Sequence, residues 1–147
     1  MEIHWTLILK IFVAGFLGGI IGFEREARSK EAGLRTHFLV ALGSALFMII
    51  SQYAFAGRFD ASRVAAQVVS GIGFIGAGVI IFQKNVVRGV TTAAGLWVAA
   101  AIGLACGAGM YDIAVAATIL TLACLETTHL VTRSLHRKQA DNQEKDS

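Results

Sequence analysis

The chain has 147 residues, of which 55% are hydrophobic before its 16 glycines are counted and 16% are charged, with a formal net charge of +3. A soluble domain carries roughly 45–50% apolar residues with Gly included and about 25% charged residues. The composition therefore excludes an ordinary soluble globular fold, and the length leaves no room for a separate soluble domain beside a membrane bundle.

Trp5–Phe23 carries no charge apart from Lys10 and is almost wholly apolar. A run of about 18 or more such residues is long enough to cross the hydrocarbon core as a helix, where its backbone groups must be satisfied internally. Met1–His4 lacks the positive segment of a cleaved leader, and the run is too long for a leader's apolar stretch, so this first span reads as a retained anchor. Lys10 is expected to snorkel outward. Gly15 with Gly19, and Gly18 with Gly22, make small faces suited to close helix packing.

The next segment is strongly polar. Glu24–Arg28, Glu26–Lys30 and Glu31–Arg35 are acid-to-base pairs four residues apart, which predicts a helical loop with Gly33 as its stop. Arg35, Thr36 and His37 then open a second charge-free run, Phe38–Gly57.

Asp60 stands where an N-cap for the third span is needed, and Val64–Phe82 is the third charge-free run. Asp60, Arg63, Gln67 and Ser70 recur at steps of three, four and three, which puts them on one stripe of a helix. An ionisable group inside a membrane is a functional candidate, here with Asp60 as the named partner of Arg63. Gln67 is expected to hydrogen-bond across helices.

Gly71, Gly73, Gly76 and Gly78 follow within eight residues. The first three fit a dinucleotide-binding glycine pattern, but that reading needs a preceding strand and a later acidic residue, and both are missing. Each glycine weakens a helix by about 1 kcal/mol relative to Ala. Two explanations stand: very close helix packing, with Gly73→Leu expected to prevent assembly, or a locally broken helix that offers backbone groups to a substrate.

Gln83–Arg88 reads as a loop. The fourth run, Gly89–Tyr111, opens with Arg88, Thr91 and Thr92 and carries Gly95, Ala99, Gly103 and Gly107 as one small-residue ridge. Cys106 and Cys124 match no zinc or redox spacing and read as small buried hydrophobes. Ile113–Leu125 has only 13 residues, too few to cross, so the fifth span is expected to reach Thr132 with Glu126 near its inner end, the alternative being a half-inserted segment. The expected domain is thus 1–132, and the polar tail 133–147 is expected to be disordered.

Basic residues orient the chain. With five spans and the N-terminus outside, Arg25, Arg28, Lys30, Arg35, Lys84, Arg88, Arg133, Arg137, Lys138 and Lys145 all fall inside, while only Arg58 and Arg63 fall outside. The excess of Lys and Arg on one side predicts an all-α integral membrane bundle of five helices, N-out and C-in. No basic face is interleaved with exposed aromatics, which excludes nucleic-acid binding.

Glu24, Arg25, Arg35, Thr36, Arg88, Thr91, Thr92 and Glu126 all gather near the inner ends of spans. Two helix N-termini with Arg beside them, facing two acids, can form a closed ion-pair network, or hold a cytosolic anion or hydrated cation. His37 and His129 read as interfacial donors, not metal ligands. The chain lacks a Ser–His–acid or Cys–His arrangement, an HExxH motif and a phosphate-binding loop, so it is read as a non-enzyme without a bound cofactor.

Five blocks together resemble a known family: Gly22-Phe-Glu-Arg-Glu26, Gly33-Leu-Arg-Thr-His37, Asp60-Ala-Ser-Arg-Val-Ala-Ala-Gln67, Ser70-Gly-Ile-Gly-Phe-Ile-Gly-Ala-Gly78, and Arg88-Gly-Val-Thr-Thr-Ala-Ala94 with Trp97. In order and spacing, from about Gly15 to Leu130, they are similar to the membrane domain of the MgtC/SapB family. The resemblance implies a five-helix bacterial inner-membrane protein linked to magnesium homeostasis and, in pathogens, to survival inside host cells. It marks Glu24, Arg25, Arg35, Thr36, Asp60, Arg63, Gln67, Thr91 and Thr92 as signature polar residues. Many members continue into a soluble cytoplasmic domain, whereas this sequence ends in a short polar tail, so regulatory functions of that domain are not expected of it.

Two functions compete at this level. The first is a non-catalytic modulator that binds another membrane protein, such as the rotary ATP synthase or a magnesium transporter, through its glycine faces. The second is a small homo-oligomeric transporter or channel for Mg²⁺ or protons, built on the glycine-rich third helix and the Asp60/Arg63/Gln67 stripe, with Mg²⁺ as the transported or sensed ion. A structural anchor without regulated activity is a third option. In each case the lipid bilayer is the solvent.

Overall fold

The computed structural model describes residues 5–54, 62–83 and 85–127. Four helices there are long and apolar enough to cross a membrane: α1 (Trp5–Ala27), α2 (Leu34–Tyr53), α3 (Ser62–Val79) and α4 (Val90–Ala108). A fifth helix, α5, covers 111–127. The all-α membrane bundle follows from the apolar runs. Asp60, His129, the end of the fifth span at Thr132 and the tail 133–147 lie outside the described residues.

Two positions depart from the expected element boundaries. The polar loop is not helical up to Gly33. Instead α1 stops at Ala27, where Ser29 takes a left-handed φ of 52°. The N–H of Lys30 donates to the Arg25 carbonyl at 3.0 Å and that of Ser29 to the Glu26 carbonyl at 2.9 Å, a pairing that closes the orphan carbonyls of a helix end. Gly33 is extended and starts α2. The second departure is a short antiparallel hairpin, β1 (Ile81–Gln83) and β2 (Val86–Arg88), in place of a plain loop; it pairs Ile81 with Arg88 and Phe82 with Val87. Apolar and β-branched residues on both sides of Asn85, which tolerates its φ of 60°, favour this turn over further helix. Gly89, at φ 85°, then brings the chain back against the Val79 carbonyl at the end of α3.

The glycine faces are used within the chain. A Cβ on Gly18 would lie 2.6 Å from both the Ala41 Cβ and the His37 carbonyl oxygen, and one on Gly22 would lie 2.7 Å from the Gly33 carbonyl oxygen. A Cβ on Gly15 would meet the Phe38 ring at 2.8 Å, whereas Gly19 leaves ordinary room. On the other side of α2, a Cβ on Gly107 would be 2.7 Å from the Ala45 carbonyl oxygen, and one on Gly103 would run into the backbone of Ala41. α2 is thus clasped between α1 and α4, as expected where helices associate by backbone approach and not by water exclusion.

Ala14, Leu17, Ile21, Ala45, Ile102, Cys106 and Ala114 form one core, to which α5 adds Ala117, Leu122 and Leu125. Ala32, Ile72, Leu96 and Ala100 form a second core beneath α3. Cys124 does not share the fate of Cys106: it is exposed.

Lys10 does not reach out to water. Its Nζ donates to the Gly107 carbonyl at 3.0 Å, beside the left-handed C-cap Gly109 that ends α4. A cation at a helix C-terminus meets both an orphan carbonyl and the negative end of the macrodipole.

Candidate functional site

One end of the bundle gathers the charged residues that the sequence singled out. Glu24 and Arg25 are in the last turn of α1. Arg25 is only 4% exposed, and its Nε lies 3.3 Å from Glu24 Oε2. Arg28, just past the helix end, pairs through its Nε with Glu24 and donates from Nη2 to Glu126 Oε2 on α5. Both Glu24 oxygens are buried and lack a well-aligned hydrogen bond, so charge pairing alone holds them. Of the three predicted acid–base pairs in the loop, Glu24–Arg28 forms. The other two acids turn elsewhere.

Glu26 Oε2 accepts from the Leu34 N–H at 2.8 Å, the first amide of α2. Glu31 Oε2 accepts from the Thr92 hydroxyl at 2.6 Å, in the first turn of α4. Each of these helix N-termini therefore faces a carboxylate, one from the last turn of α1 and one from the α1–α2 loop, the sign that the helix dipole favours. Thr92 is buried and Thr91 exposed. The Thr92 hydroxyl is the largest cause holding the Glu31 carboxyl below its ordinary range, with its own backbone N–H, Lys30 and Arg25 adding to the effect.

This arrangement corrects the expected composition of the network. Arg35 and Arg88 are exposed and make no ion pair among the described residues, and Thr36 is half-buried on α2. The two N-termini, for which an outside anion is the alternative to a closed network, already face Glu26 and Glu31. The missing member is Arg28, whose bridge to Glu126 spans 98 residues of sequence. A local four-residue spacing can indicate Glu24 as its partner but not α5.

His37 is also corrected, from interface to interior. It is 0% exposed; its Nδ1 lies 3.0 Å from the Gly33 carbonyl oxygen, and its Nε2 faces Gly95 on α4, where a Cβ would come within 3.3 Å. The ring is a spacer where α2 crosses α4. Among the described residues, no group of three or more His, Cys, Asp or Glu side chains could hold a metal ion.

The second candidate region is α3. The helix is continuous through Gly71, Gly73, Gly76 and Gly78, so among the described residues the broken-helix reading fails. Close packing within the chain holds only for Gly76, whose Cβ would sit 3.5 Å from the Ala93 Cβ; Gly71, Gly73 and Gly78 face open space. Arg63, Gln67 and Ser70 share a stripe as predicted, but it is the exposed one. Gln67 makes no hydrogen bond across helices to another described residue.

With this geometry established, the relationships to known proteins are specific. The family model described as MgtC family matches residues 11–134. The chain belongs to the MgtC family. Among curated relatives of this MgtC-family chain, it is 48% identical to "Putative magnesium transporter YhiD" of Escherichia coli (strain K12) over 138 residues, which is 89% of this chain and 64% of that protein. It is 52% identical to Protein MgtC of Brucella abortus (strain 2308) over 110 residues, 75% of this chain and 46% of that protein. It is 50% identical to Protein MgtC of Salmonella typhimurium (strain 14028s / SGSC 2262) over 115 residues, 78% of this chain and 49% of that protein. The MgtC-family chain thus spans about half to two thirds of the length of these relatives. No solved structure matches it.

Proposed function

We propose that this MgtC-family protein is a non-catalytic modulator in the bacterial inner membrane, linked to magnesium homeostasis and to growth in low magnesium. The family supplies the magnesium link, because YhiD carries a magnesium-transporter name and the MgtC proteins match the same span. One observation favours modulation over transport through a single chain: among the described residues, α1, α2 and α4 meet at backbone-contact distances. The core is Ala, Gly, Ile and Leu at backbone-contact distances, and two of its buried hydroxyls, on Ser44 and Thr118, turn back onto carbonyls of their own helices at 2.8 Å. Close packing at these contacts leaves the outer helix faces to act on another membrane protein.

A second reading, an oligomeric transporter, draws on the outward polar stripe of α3. The purified full chain, reconstituted in sealed vesicles with Mg²⁺ and pH indicators, separates the two readings. The modulator passes neither ion, while a strain lacking the protein grows poorly in low magnesium and is restored by the chain. Flux that disappears in Asp60→Asn sinks the modulator reading. Normal growth of the deletion strain in low magnesium sinks the magnesium link.

A further inference from the structure

The outward surfaces of the helices are of two kinds. On α1 the exposed positions are large and apolar: Trp5, Leu9, Phe12, Phe16 and Phe23. On α5 they include Ile113, Val115, Ile119 and Leu120. Such surfaces match lipid tails. α3 differs. Its inward side is Ile72 and Gly76, and helical geometry puts Arg63, Gln67, Ser70, Phe74 and Ala77 on the opposite side at steps of four, three, four and three. All five are exposed. Gly71 and Gly78 flank this row with nothing within 4 Å of where a Cβ would be. Phe74 stands between them at 82% exposure.

Lipid cannot hydrogen-bond the Gln67 amide or the Ser70 hydroxyl, and a polar group without a partner in hydrocarbon is costly. Nor do tails fill the hollow beside a glycine as well as a neighbouring side chain does. This row has the composition of a protein-facing helix side, yet no part of the described chain covers it.

From this contrast we infer that the Gln67–Ser70–Phe74 side of α3 is a twofold seam that a second copy of this chain occupies. Self-complementarity identifies the occupant. Two copies inserted in the same direction bring each seam residue opposite itself at equal depth, so every residue on the seam must pair with its own kind. The Gln67 amide is donor and acceptor at once, and the Ser70 hydroxyl likewise. Phe74 is a knob with open glycine positions three residues before and four after it, which leave room for the Phe74 of a second copy to pack beside it at the same depth. The one charge, Arg63, does not pair with itself. It stands on the first described turn of α3, about 16 Å along the axis from Phe74, where headgroups and water reach it. The steps of four and three are those of a helix pair packed along a heptad seam.

This dimer does not rest on the modulator reading: the growth and flux assays can fail while the seam stands, and the reverse. The test is oxidative crosslinking of the full chain in native membranes, with Cys124 on α5 replaced by Ser and buried Cys106 retained. Ser70→Cys is expected to form disulfide-linked dimers several-fold faster than Phe16→Cys on the lipid side of α1. Gly71→Leu and Gly78→Leu, each entering space that is open within one chain, are expected to convert the purified protein from dimer to monomer by mass measurement, with its helix content in detergent unchanged. Gln67→Leu is expected to weaken the dimer without adding bulk. Crosslinking of Ser70→Cys no faster than that of Phe16→Cys overturns the seam. So does a dimer that persists in Gly78→Leu. Ser70→Cys crosslinks made solely to a different protein overturn the second copy as the occupant.

Discussion

Arg28 ties the first helix to the last: its Nη2 donates to Glu126 on α5, 98 residues away, while its Nε pairs with Glu24 at the end of α1. The two halves of this bridge are unequal. Glu126 is 55% exposed, whereas Glu24 is 15% exposed and lies against Arg25, which is almost fully buried.

Exposure sets the order of the effects. A pair with an exposed partner is screened and contributes about 0–1 kcal/mol, so Glu126→Ala is expected to cost less than about 1 kcal/mol. Removing one member of a buried pair strands the other and costs about 3–5 kcal/mol, so Glu24→Ala, which leaves Arg25 unpaired, is expected to be the worst single change in this cluster. Arg28→Ala should fall between them. Reversible unfolding in detergent, run as a double-mutant cycle on Arg28 and Glu126, measures this order. An Arg35→Ala chain with wild-type stability is the matching control, because Arg35 is outside the network.

Two kinds of glycine call for opposite outcomes. Gly18 and Gly103 face backbone atoms of α2 closer than any real side chain allows. Gly18→Leu and Gly103→Leu are expected to prevent folding, with no monodisperse peak on extraction from the membrane. Gly73 faces open space, so Gly73→Leu is expected to leave the single-chain fold intact and its unfolding temperature unchanged. A collapsed Gly73→Leu chain would show that this side of α3 is packed even in the monomer.

The spans were readable from the sequence because charge-free length is a one-dimensional signal. Periodicity also placed Arg63, Gln67 and Ser70 on one side of α3. It could not say which side faces inward, since a membrane helix shows small and polar residues toward protein whether that protein is its own chain or another. The four glycines of α3 read as tight packing or as a break, yet only Gly76 meets a neighbour. At the charged end, local spacing found Glu24–Arg28 but gave Glu26 to Lys30 and Glu31 to Arg35. In the fold those acids go to the first turns of α2 and α4, because Ser29 ends the helix early and the chain folds back. The hairpin was missed because Ile81 and Phe82 continue an apolar run that is helical up to Val79.

Lys10 yields a stability prediction of its own. Its ammonium group closes the C-terminal end of α4 at the Gly107 carbonyl. A charged hydrogen bond of this kind contributes about 1.5–3 kcal/mol, and the favourable dipole adds a few tenths. Lys10→Met keeps the length and removes the charge, and is expected to lose about 2 kcal/mol in detergent unfolding. Lys10→Arg should recover part of it. A Lys10→Met chain as stable as wild type would mean that the side chain turns to water in the bilayer.

Acidification should loosen the first turn of α4 by a route that Thr92 controls. The Glu31 carboxyl is held below its ordinary value of 4.5, chiefly by the Thr92 hydroxyl. A group whose folded value is depressed adds stability that is fully present above its unfolded value and is lost as pH falls through the folded one. The window therefore opens near that ordinary value of 4.5 and extends below it. Above it the Glu31–Thr92 bond holds the loop to α4, and below it the protonated carboxyl accepts more weakly. Hydrogen exchange of the amides of Ala93 and Ala94, corrected for intrinsic rates, is expected to accelerate as pH falls through this window. Thr92→Val removes the hydroxyl, so its corrected exchange should already be fast at neutral pH and change much less on acidification. Equal acid dependence in the two chains would remove the Glu31–Thr92 bond as the cause.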